Sequence, residues 1–435
     1  MKTICFIENR GKTVLWQQVA NHLCSMGYRV CWIVQNHLYS TKSKNQEVAV
    51  IPYPKKSHLS KPSESLKWRL RSDRGNRFFG NGDLHYNYYA AKIKTALEDF
   101  KPDMVIGEST LFHELLAIHA CREKKIPYFH PCATRYPSDR FNLFLGDTQE
   151  VAFSSADVWS APKIEEYIKA FLGGATIPTY MKPVRLSRRA IIFLASLKSI
   201  WAYLRGERYN TPSAYVKISL SWRLRQNKER WGRMAKQICP GSRSILYPLQ
   251  MQPEANLDVW GEPWSNQLEN LHALLKATPE DVIIAVKANP KAKYELSQEL
   301  LTFAEYHSRI FLLPLKTGMD EARMSTCGTI TATGTVGLEA LLGLGRCLSL
   351  GHPVVAKYAP EFNTESFTAG ARTLLENPSL GVGDHSTASV LLSRIVFDSH
   401  RGLINEPVWD NRCISRENVA AIARTLDRAF AVLAT

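Results

Sequence analysis

The sequence lacks any CxxC pair, any run of about 18 uncharged apolar residues, and any loop of the GxxxxGK[ST] type. Its nine cysteines lack the spacing of a metal site, so we predict neither zinc nor disulfides, and reduced thiols fit a cytoplasmic protein. Without a long apolar run, no transmembrane helix is predicted. The start, MKTICFIENRGKT, has no small-residue cleavage site and predicts a first strand, not a signal peptide.

Acidic residues are scarce in one segment of a chain whose net charge is +15. Residues 181–235 contain thirteen Lys or Arg and two Glu, around a largely apolar stretch from Ala190 to Leu204. That stretch is too short to span a bilayer, but its basic rim and tryptophans are typical of an interfacial helix. We therefore predict that residues 185–235 contact a membrane surface; a buried interdomain helix is the alternative. No nucleic-acid partner is predicted, because no known binding motif accompanies the charge.

The chain of 435 residues is long enough for two domains. Alternation of short apolar runs with helical patterns predicts an α/β fold with parallel sheets in both halves. We predict four parts: a Rossmann-like domain over residues 1–150, a mostly helical, basic insert over 151–240, a second Rossmann-like domain over 241–405, and a C-terminal helix over 406–435. The polar, basic stretch 53–87 is predicted to be an acceptor-binding or surface loop.

Glu108 is the first candidate for catalysis. It follows the buried strand pattern KPDMVIGES, at the strand end where open α/β sheets bind ligands, so it could act as general base or nucleophile. A helix N-cap or an arginine partner is the alternative reading. Glu114 lies within the next helix, together with His113, and one face of that helix could return it to the cleft.

Three arginines are candidates for binding an anionic acceptor. Arg10 lies in the first β–α loop, at the carboxyl edge of the first strand. Arg135 and Arg140 are predicted to share one loop, where two guanidinium groups could bind a carboxylate or phosphate. Solvated surface arginines are the alternative.

The second half contains three strand ends with polar residues after them. A glycine turn between a strand and a helix points backbone N–H groups at a ligand, which suits a phosphate. Carboxyl ends of parallel strands share one edge of a sheet, so we expect the three ends to form one site. The candidate donor-binding residues are Gln252, Glu254, Lys287, Asn289, Thr333, Gly334, Thr335 and Glu339.

The motifs YPLQMQPEA, NQLENL, VKANP and TATGTVGLEALLGLGRCLSLG occur in this order within residues 240–355. In order and spacing they resemble the capsule polysaccharide biosynthesis proteins, a family of bacterial GT-B glycosyltransferases that includes the β-Kdo transferases of capsule export. Residues 107–141 resemble the N-terminal half of that family only loosely, and the basic insert is not covered.

This resemblance implies two Rossmann-like domains facing a cleft. It also implies a nucleotide-sugar donor, often CMP-linked, held mainly by the second domain, and a glycan or glycolipid acceptor at the first. By position, Gln252 and Glu254 match the glutamine-proline-acid motif, Lys287 matches the family lysine, and Thr333, Gly334, Thr335 and Glu339 match the glycine turn. We expect a transferase without cofactor or metal, peripheral on the inner face of the bacterial inner membrane.

One position departs from the family pattern. Lys287-Ala288-Asn289-Pro290 stands where the family usually has lysine-glutamate-histidine-proline, so Asn289 replaces a histidine. Asparagine can donate a hydrogen bond to a phosphate, but it cannot transfer a proton at neutral pH. Two other functions therefore stay open: a nucleotide-sugar 2-epimerase of similar architecture, and a non-catalytic anion-binding factor in polysaccharide export.

Overall fold

The computed structural model describes residues 2–41, 43–176, 189–239 and 242–433. The chain divides into two compact units. Unit 1 comprises Met1–Val158, Thr176–Ser213 and Val396–Thr435, and unit 2 comprises Trp159–Ala175 and Ala214–Ile395. This division differs from the predicted boundaries, because the basic insert 151–240 is shared between the units and the C-terminal segment belongs to unit 1.

Each unit contains one β-sheet. The strands are β1 (Thr3–Ile7), β2 (Arg29–Val34), β3 (Glu47–Val50), β4 (Met104–Ile106), β5 (Tyr128–Ala133), β6 (Arg140–Leu145), β7 (Ser244–Pro248), β8 (Ile283–Lys287), β9 (Ile310–Leu312), β10 (Gly328–Thr331), β11 (Cys347–Ser349) and β12 (His400–Arg401).

Helices connect most of these strands. They are α1 (Thr13–Ser25), α2 (Glu64–Arg69), α3 (Arg74–Phe79), α4 (Tyr86–Phe100), α5 (Phe112–Glu123), α6 (Ala161–Leu172), α7 (Arg189–Leu204), α8 (Ala214–Met234), α9 (Ala255–Asp258), α10 (Gln267–Ala277), α11 (Gln298–Tyr306), α12 (Met319–Met324), α13 (Thr335–Leu342), α14 (Pro353–Tyr358), α15 (Phe367–Glu376), α16 (His385–Asp398) and α17 (Arg416–Leu433).

The sheet of unit 1 has seven strands in the order β12-β6-β5-β4-β1-β2-β3. Strands β1 to β5 pair in parallel, whereas β6 and β12 are antiparallel to their neighbours. Parallel strands must be joined by crossovers, which here are largely helical and cover the sheet with apolar side chains. The order places β1 beside β4, so the loops that follow these two strands lie next to each other.

The sheet of unit 2 has five parallel strands in the order β11-β10-β7-β8-β9. Its central strand β7 is buried at every position, as expected for a strand covered on both faces. The predicted α/β class is confirmed, because the chain folds into two Rossmann-like units, one with a largely parallel sheet and one with a parallel sheet. The predicted glycine turn between a strand and a helix lies between β10 and α13.

The C-terminal helix α17 completes the core of unit 1. Its buried residues, Ile422, Ala423, Leu426 and Ala429 among them, belong to one hydrophobic cluster with those of α1. Burying a large aliphatic side chain contributes about 1.5 to 3 kcal/mol, so α17 is an integral part of this unit. The helix predicted within residues 406–435 is α17.

Two segments that were predicted from composition contain regular structure. The stretch 53–87, predicted to be an acceptor-binding or surface loop, contains the short helices α2 and α3, and its role in acceptor binding stays a prediction. Helix α7 leaves six large apolar side chains at least 45% exposed: Phe193, Leu194, Leu197, Ile200, Trp201 and Leu204. Residues 185–188, at the start of the predicted membrane segment, lie outside the described residues. Within the described ranges, no helix is long and apolar enough to cross a membrane.

Candidate functional site

Glu108 lies at the carboxyl edge of the unit 1 sheet, where the sequence predicts it. It is 5% exposed, directly after Gly107 at the end of β4. The neighbouring strand β1 continues into a short turn, Arg10–Lys12, that leads into α1. Lys12 Nζ is 2.5 Å from Glu108 Oε1, and Asn9 Nδ2 is 3.4 Å from Glu108 Oε2. Two adjacent β–α loops therefore hold one carboxylate from both sides.

The charge of Lys12 depends on this pairing. Burial lowers the pKa of Lys12, but the Glu108 carboxylate, together with Cys132 and Glu406, raises it, and the net shift is upward. The Lys12 side chain is 27% exposed and that of Glu108 is 7% exposed, so the pair is accessible from the lysine side. A largely buried carboxylate beside a charged ammonium group can accept a proton from an incoming hydroxyl.

Glu114 occupies an interior position instead of returning to a cleft. Its Oε2 accepts hydrogen bonds from the backbone N–H groups of Thr110 and Leu111 at 2.9 and 2.8 Å, which caps α5. Its Oε1 accepts a 2.6 Å bond from Asn9 Nδ2. Burial and the Glu108 carboxylate raise the pKa of Glu114 to about 7. Glu114 is therefore placed to orient Asn9, which in turn contacts Glu108.

Arg10 reaches a second buried group of side chains. Its Nε is 3.4 Å from Oε1 of Glu207, a residue that is 1% exposed, and its backbone N–H donates to Glu8 Oε1 at 2.7 Å. His113 Nε2 lies 2.8 Å from the Glu8 carbonyl oxygen, and His113 Nδ1 lies 3.2 Å from Asn210 Nδ2. Burial lowers the pKa of His113, so the ring is neutral, donates through Nε2 and accepts through Nδ1.

Next to these groups, unit 1 has an open cleft of about 350 Å³. Asn9 and Thr110 form part of its wall and connect it to Glu108 and Glu114. The other lining residues are Arg10, Gly11, Val14, Tyr39, Arg74, Leu111, Lys198, Glu406, Pro407 and Val408. The cleft therefore combines basic side chains with an apolar wall.

The structure separates Arg135 from Arg140. Arg140 does not lie in a loop but begins β6, is 2% exposed, and donates to Asp157 Oδ2 at 2.8 Å and to the Val396 carbonyl oxygen at 2.9 Å. The prediction that both arginines share one loop is wrong for Arg140, because antiparallel pairing with β5 and β12 buries it. Arg135 is half-buried in the preceding loop with a φ of 73°. Its predicted contact with an anion stays a prediction.

In unit 2, the three predicted strand ends meet. Strands β8 and β10 flank β7, with Lys287 opposite Pro248 and Thr329 opposite Leu246. Thr333 Oγ1, after β10, is 3.2 Å from the side-chain oxygen of Gln250, after β7. The expected convergence on one sheet edge is therefore confirmed, although binding of a donor there stays a prediction.

Some of the predicted donor-binding residues are engaged within unit 2. Gln252 is 6% exposed and donates to Asp258 Oδ1 at 2.7 Å and to the Ser265 carbonyl oxygen at 3.0 Å. Thr333 is 2% exposed and lies 2.5 Å from the Asn256 carbonyl oxygen. Because polar atoms of these two side chains are already hydrogen-bonded within unit 2, we assign them a structural role at this edge of the sheet.

Other predicted residues are better placed to meet a ligand. Gly334 is the N-cap of α13, so the N–H groups of the first turn point towards the sheet edge, and that of Gly337 bonds to the Gly334 carbonyl oxygen at 3.0 Å. Thr335 and Glu339 lie on α13 and are half-buried. A Cβ at Gly334 would lie 3.0 Å from Thr331 Oγ1, so a side chain there would crowd the turn.

The end of β8 contributes an ammonium group to the same sheet edge, with β7 between it and this turn. Lys287 is 3% exposed, its Nζ is 3.3 Å from the Ala288 carbonyl oxygen, and burial lowers its pKa. Asn289 Oδ1 accepts a 2.8 Å bond from the Lys291 N–H, so a ligand could accept a hydrogen bond from its amide nitrogen. Glu254, after β7, is half-buried. Within the part of the chain that the structure describes, no three His, Cys, Asp or Glu side chains are grouped as metal ligands.

Glu295 lies behind Gln252 and was not predicted. Its Oε2 accepts from the backbone N–H groups of Gln252 and Lys293, at 3.2 and 3.0 Å. Its buried Oε1 has no hydrogen-bond partner within the described part of the chain. Burial raises the pKa of Glu295 to about 7, from 4.5. Since the folded-state pKa is the higher one, ionisation of Glu295 destabilises the fold progressively as the pH rises from about 4.5 to about 7.

We expect Glu295→Gln to remove this dependence. The variant should match the wild type near pH 4.5 and be more stable above pH 7, by an amount on the order of 3 kcal/mol. Urea unfolding at both ends of that range measures the difference. Glu299→Gln is the control. The pKa of Glu299 is lowered by its own N–H and by Ser297, so the contribution of this carboxylate to stability changes with pH in the opposite direction. Equal effects of Glu295→Gln at both pH values would contradict the assignment.

Sequence reasoning missed several members of the unit 1 site. Lys12 and Asn9 could have been found, because in a Rossmann-like order the first strand lies beside the fourth, which brings their loop to Glu108. Arg74 and Glu207 come from distant segments, and neither has a local pattern that distinguishes it from a surface charge.

No protein-family model matches the chain, and no curated protein matches it by sequence. Several solved structures are similar to it. UDP-GlcNAc 2-epimerase of Methanocaldococcus jannaschii, in complex with UDP-GlcNAc and UDP, is 13% identical over 91% of this chain and 99% of its own, with a TM-score of 0.28. MurG of Acinetobacter baumannii is 14% identical over 98% and 100% of the two chains, with a TM-score of 0.24.

CalG4, the calicheamicin glycosyltransferase, is 13% identical over 99% of this chain and 98% of its own, with a TM-score of 0.25. At such identities and TM-scores, these similarities say nothing about which reaction the chain performs.

Proposed function

We propose that the protein is a glycosyltransferase that moves a sugar from a nucleotide donor to a bacterial surface polysaccharide or its lipid-linked precursor. The observation that carries the proposal is the Glu108 and Lys12 pair at the sheet edge of unit 1, which adjoins a cleft through Asn9. Glu108 would accept the proton of the attacking acceptor hydroxyl, and Lys12 would hold the carboxylate in position. Glu114 would act through Asn9 as a positioning residue.

The donor would bind to unit 2. The N-terminus of α13 and the ammonium group of Lys287 would stabilise the charge of the leaving phosphate, and the Asn289 amide could donate a further hydrogen bond. We therefore propose a transfer in which these groups, without a metal ion, stabilise the leaving phosphate. Residues Gln252, Glu254, Thr333 and Glu339 would shape this edge around the nucleotide sugar.

The resemblance of residues 240–355 to capsule polysaccharide biosynthesis proteins supports a CMP-linked donor, with Kdo or another ulosonic acid as the sugar. A CMP phosphate is a good leaving group near neutral pH, so neutral donors and Lys287 could be enough where Asn289 replaces the family histidine.

Peripheral attachment to the inner face of the inner membrane forms part of the proposal. The exposed apolar residues of α7 recur at helical spacing and occupy one side of the helix: Phe193, Leu194, Leu197, Ile200, Trp201 and Leu204. Arg205 stacks on Trp201, with its guanidinium carbon 4.9 Å from the ring centre. An apolar face with basic residues at its rim suits the interface of an anionic bilayer.

The first test is binding of the donor. Thermal unfolding with CMP-, UDP- and GDP-sugars should show stabilisation by the true donor, because a ligand that binds only the folded state raises stability by mass action. Lys287→Met should reduce that stabilisation, whereas Lys276→Met, which removes a charge on α10, should not. If no nucleotide sugar stabilises the protein, the non-catalytic anion-binding factor in polysaccharide export becomes the better reading.

Product analysis then separates the two enzymes. A glycosyltransferase releases the nucleotide only when an acceptor glycan is present, whereas a nucleotide-sugar 2-epimerase converts its substrate alone. Conversion of a UDP-sugar to its 2-epimer without acceptor would refute the proposed transfer.

A further inference from the structure

The cleft of unit 1 contains three cationic side chains from three separate segments. Arg10 follows β1, Arg74 begins α3, and Lys198 lies on α7. Glu406 contributes a carboxylate to the same wall. The three cations therefore converge through tertiary structure, and their convergence calls for a physical reason, since like charges in one cleft repel each other.

The backbone fixes Arg10 in an unusual conformation. Its φ is 43°, in the left-handed region that side chains other than glycine rarely adopt. The bond from its N–H to Glu8 Oε1, at 2.7 Å, holds the turn in this form. Strained residues that the surrounding structure holds in place are concentrated at functional sites.

Arg74 is incompletely satisfied. It follows Asp73, which caps α3 by accepting from the Gly75 and Asn76 N–H groups at 2.9 and 3.3 Å. Arg74 Nε is buried and has no hydrogen-bond partner among the residues that the structure describes. Burial and the nearby charge of Arg10 lower the pKa of Arg74 to about 10. A bound anion would supply the missing acceptor and reduce the repulsion between the two guanidinium groups.

The acidic neighbours compensate this charge only in part. Burial and the Glu8 carboxylate raise the pKa of Glu207 to about 8, so Glu207 is mostly protonated at neutral pH and does not cancel the charge of Arg10. Glu114, whose pKa is raised to about 7, is committed to capping α5. In the cleft wall, three cationic side chains therefore face one further carboxylate, that of Glu406.

We propose that Arg10, Arg74 and Lys198 form a subsite for a phosphate group, which the acceptor of the proposed transfer carries. Only one part of this inference rests on the proposed function, namely that the acceptor of the sugar carries the phosphate. A tetrahedral oxyanion fits the site because two guanidinium groups offer directed N–H donors and the lysine adds a mobile charge. The phosphate would lie beside Asn9, and so next to the Glu108 carboxylate.

Lys198 connects this subsite to the exposed side of α7. It lies one turn from both Leu194 and Trp201, at the border of the apolar side, and its Nζ is 5.0 Å from the ring centre of Tyr39 in the cleft wall. The phosphate of a lipid headgroup and that of a soluble sugar phosphate would meet the same three cations. An experiment must therefore distinguish these two sources of phosphate.

The test measures phosphate binding without any donor. Isothermal titration calorimetry with inorganic pyrophosphate provides one arm, and sedimentation with phosphatidylcholine vesicles, with and without phosphatidic acid, provides the other. Arg74→Met and Lys198→Met should each weaken the binding by about tenfold, the effect of losing one charge-assisted hydrogen bond. Arg77→Met, on the exposed side of the same helix α3, should leave it unchanged.

Each outcome decides the proposal. Pyrophosphate binding that depends on Arg74 supports a soluble phosphate, and vesicle binding that depends on both phosphatidic acid and Arg74 supports a lipid phosphate. Binding in neither arm, or equal loss in Arg74→Met and Arg77→Met, overturns the subsite. Lys287→Met, in unit 2, should not alter the component that depends on Arg74. The binding test contains no nucleotide, so a failure to bind phosphate can be told apart from a failure of the proposed sugar transfer. Unchanged thermal unfolding of each variant confirms that it folds.

Discussion

Glu108→Gln is expected to abolish sugar transfer while nucleotide binding is retained. The amide keeps the size of the side chain and can still meet Asn9, but it cannot accept the proton of an acceptor hydroxyl. General base catalysis typically contributes about 10²- to 10⁴-fold, so kcat should fall by about that factor. Initial rates with saturating donor and acceptor measure the loss, and donor-dependent thermal stabilisation measures binding, which we assign to unit 2.

The matched control for this variant is Glu98→Gln. Glu98 also pairs with a lysine, its Oε1 lying 2.8 Å from Lys124 Nζ, but its side chain is 50% exposed on α4. Removing this charge should change neither the rate nor the binding, because exposed ion pairs contribute little. Full activity of Glu108→Gln would exclude Glu108 as base or nucleophile and direct the search to other groups at the cleft.

Arg140→Met is expected to destabilise unit 1 by about 3 to 5 kcal/mol, the usual cost of removing one partner from a buried ionic network. Arg140 bonds to Asp157, to Ser399 Oγ at 2.8 Å and to the Val396 carbonyl oxygen at 2.9 Å. Methionine fills the space but leaves the buried carbonyl group without its donor. Equilibrium unfolding in urea, followed by far-UV circular dichroism, should show an earlier transition.

A second arginine provides a strict comparison, because it pairs with the same aspartate. Arg401 Nε lies 3.4 Å from Asp157 Oδ2, and its side chain is 76% exposed. Arg401→Met should therefore cost less than about 1 kcal/mol. If the two variants were equally stable, burial of the Arg140 network would not be what holds β6 and β12 together.

Features that depend on local patterns and on the rules of parallel sheets could be predicted from the sequence. The glycine turn at Gly334 is local, since a β-branched run, a glycine and an amphipathic helix follow one another directly. Its convergence with the ends of β7 and β8 follows from the shared direction of parallel strands. The position of Glu108 was predictable for the same reason.

The remainder depends on contacts that sequence patterns do not contain. The segment PSDRF reads as a loop because of its proline, serine and aspartate, yet antiparallel pairing buries Arg140. Glu114 has helical periodicity, but the periodicity cannot tell a capping carboxylate from one that faces a cleft. Glu207 reaches Arg10 across almost two hundred residues of chain, and no spacing rule predicts such a pair.

The return of the chain to unit 1 determines the order in which the protein can fold during synthesis. Every residue of unit 2 precedes Val396, so unit 2 can be complete while α17 is still inside the ribosome. Unit 1 begins first but must wait for Ile422, Leu426 and Ala429 to fill its core. Its nascent sheet therefore keeps an apolar face open until α17 has left the ribosome.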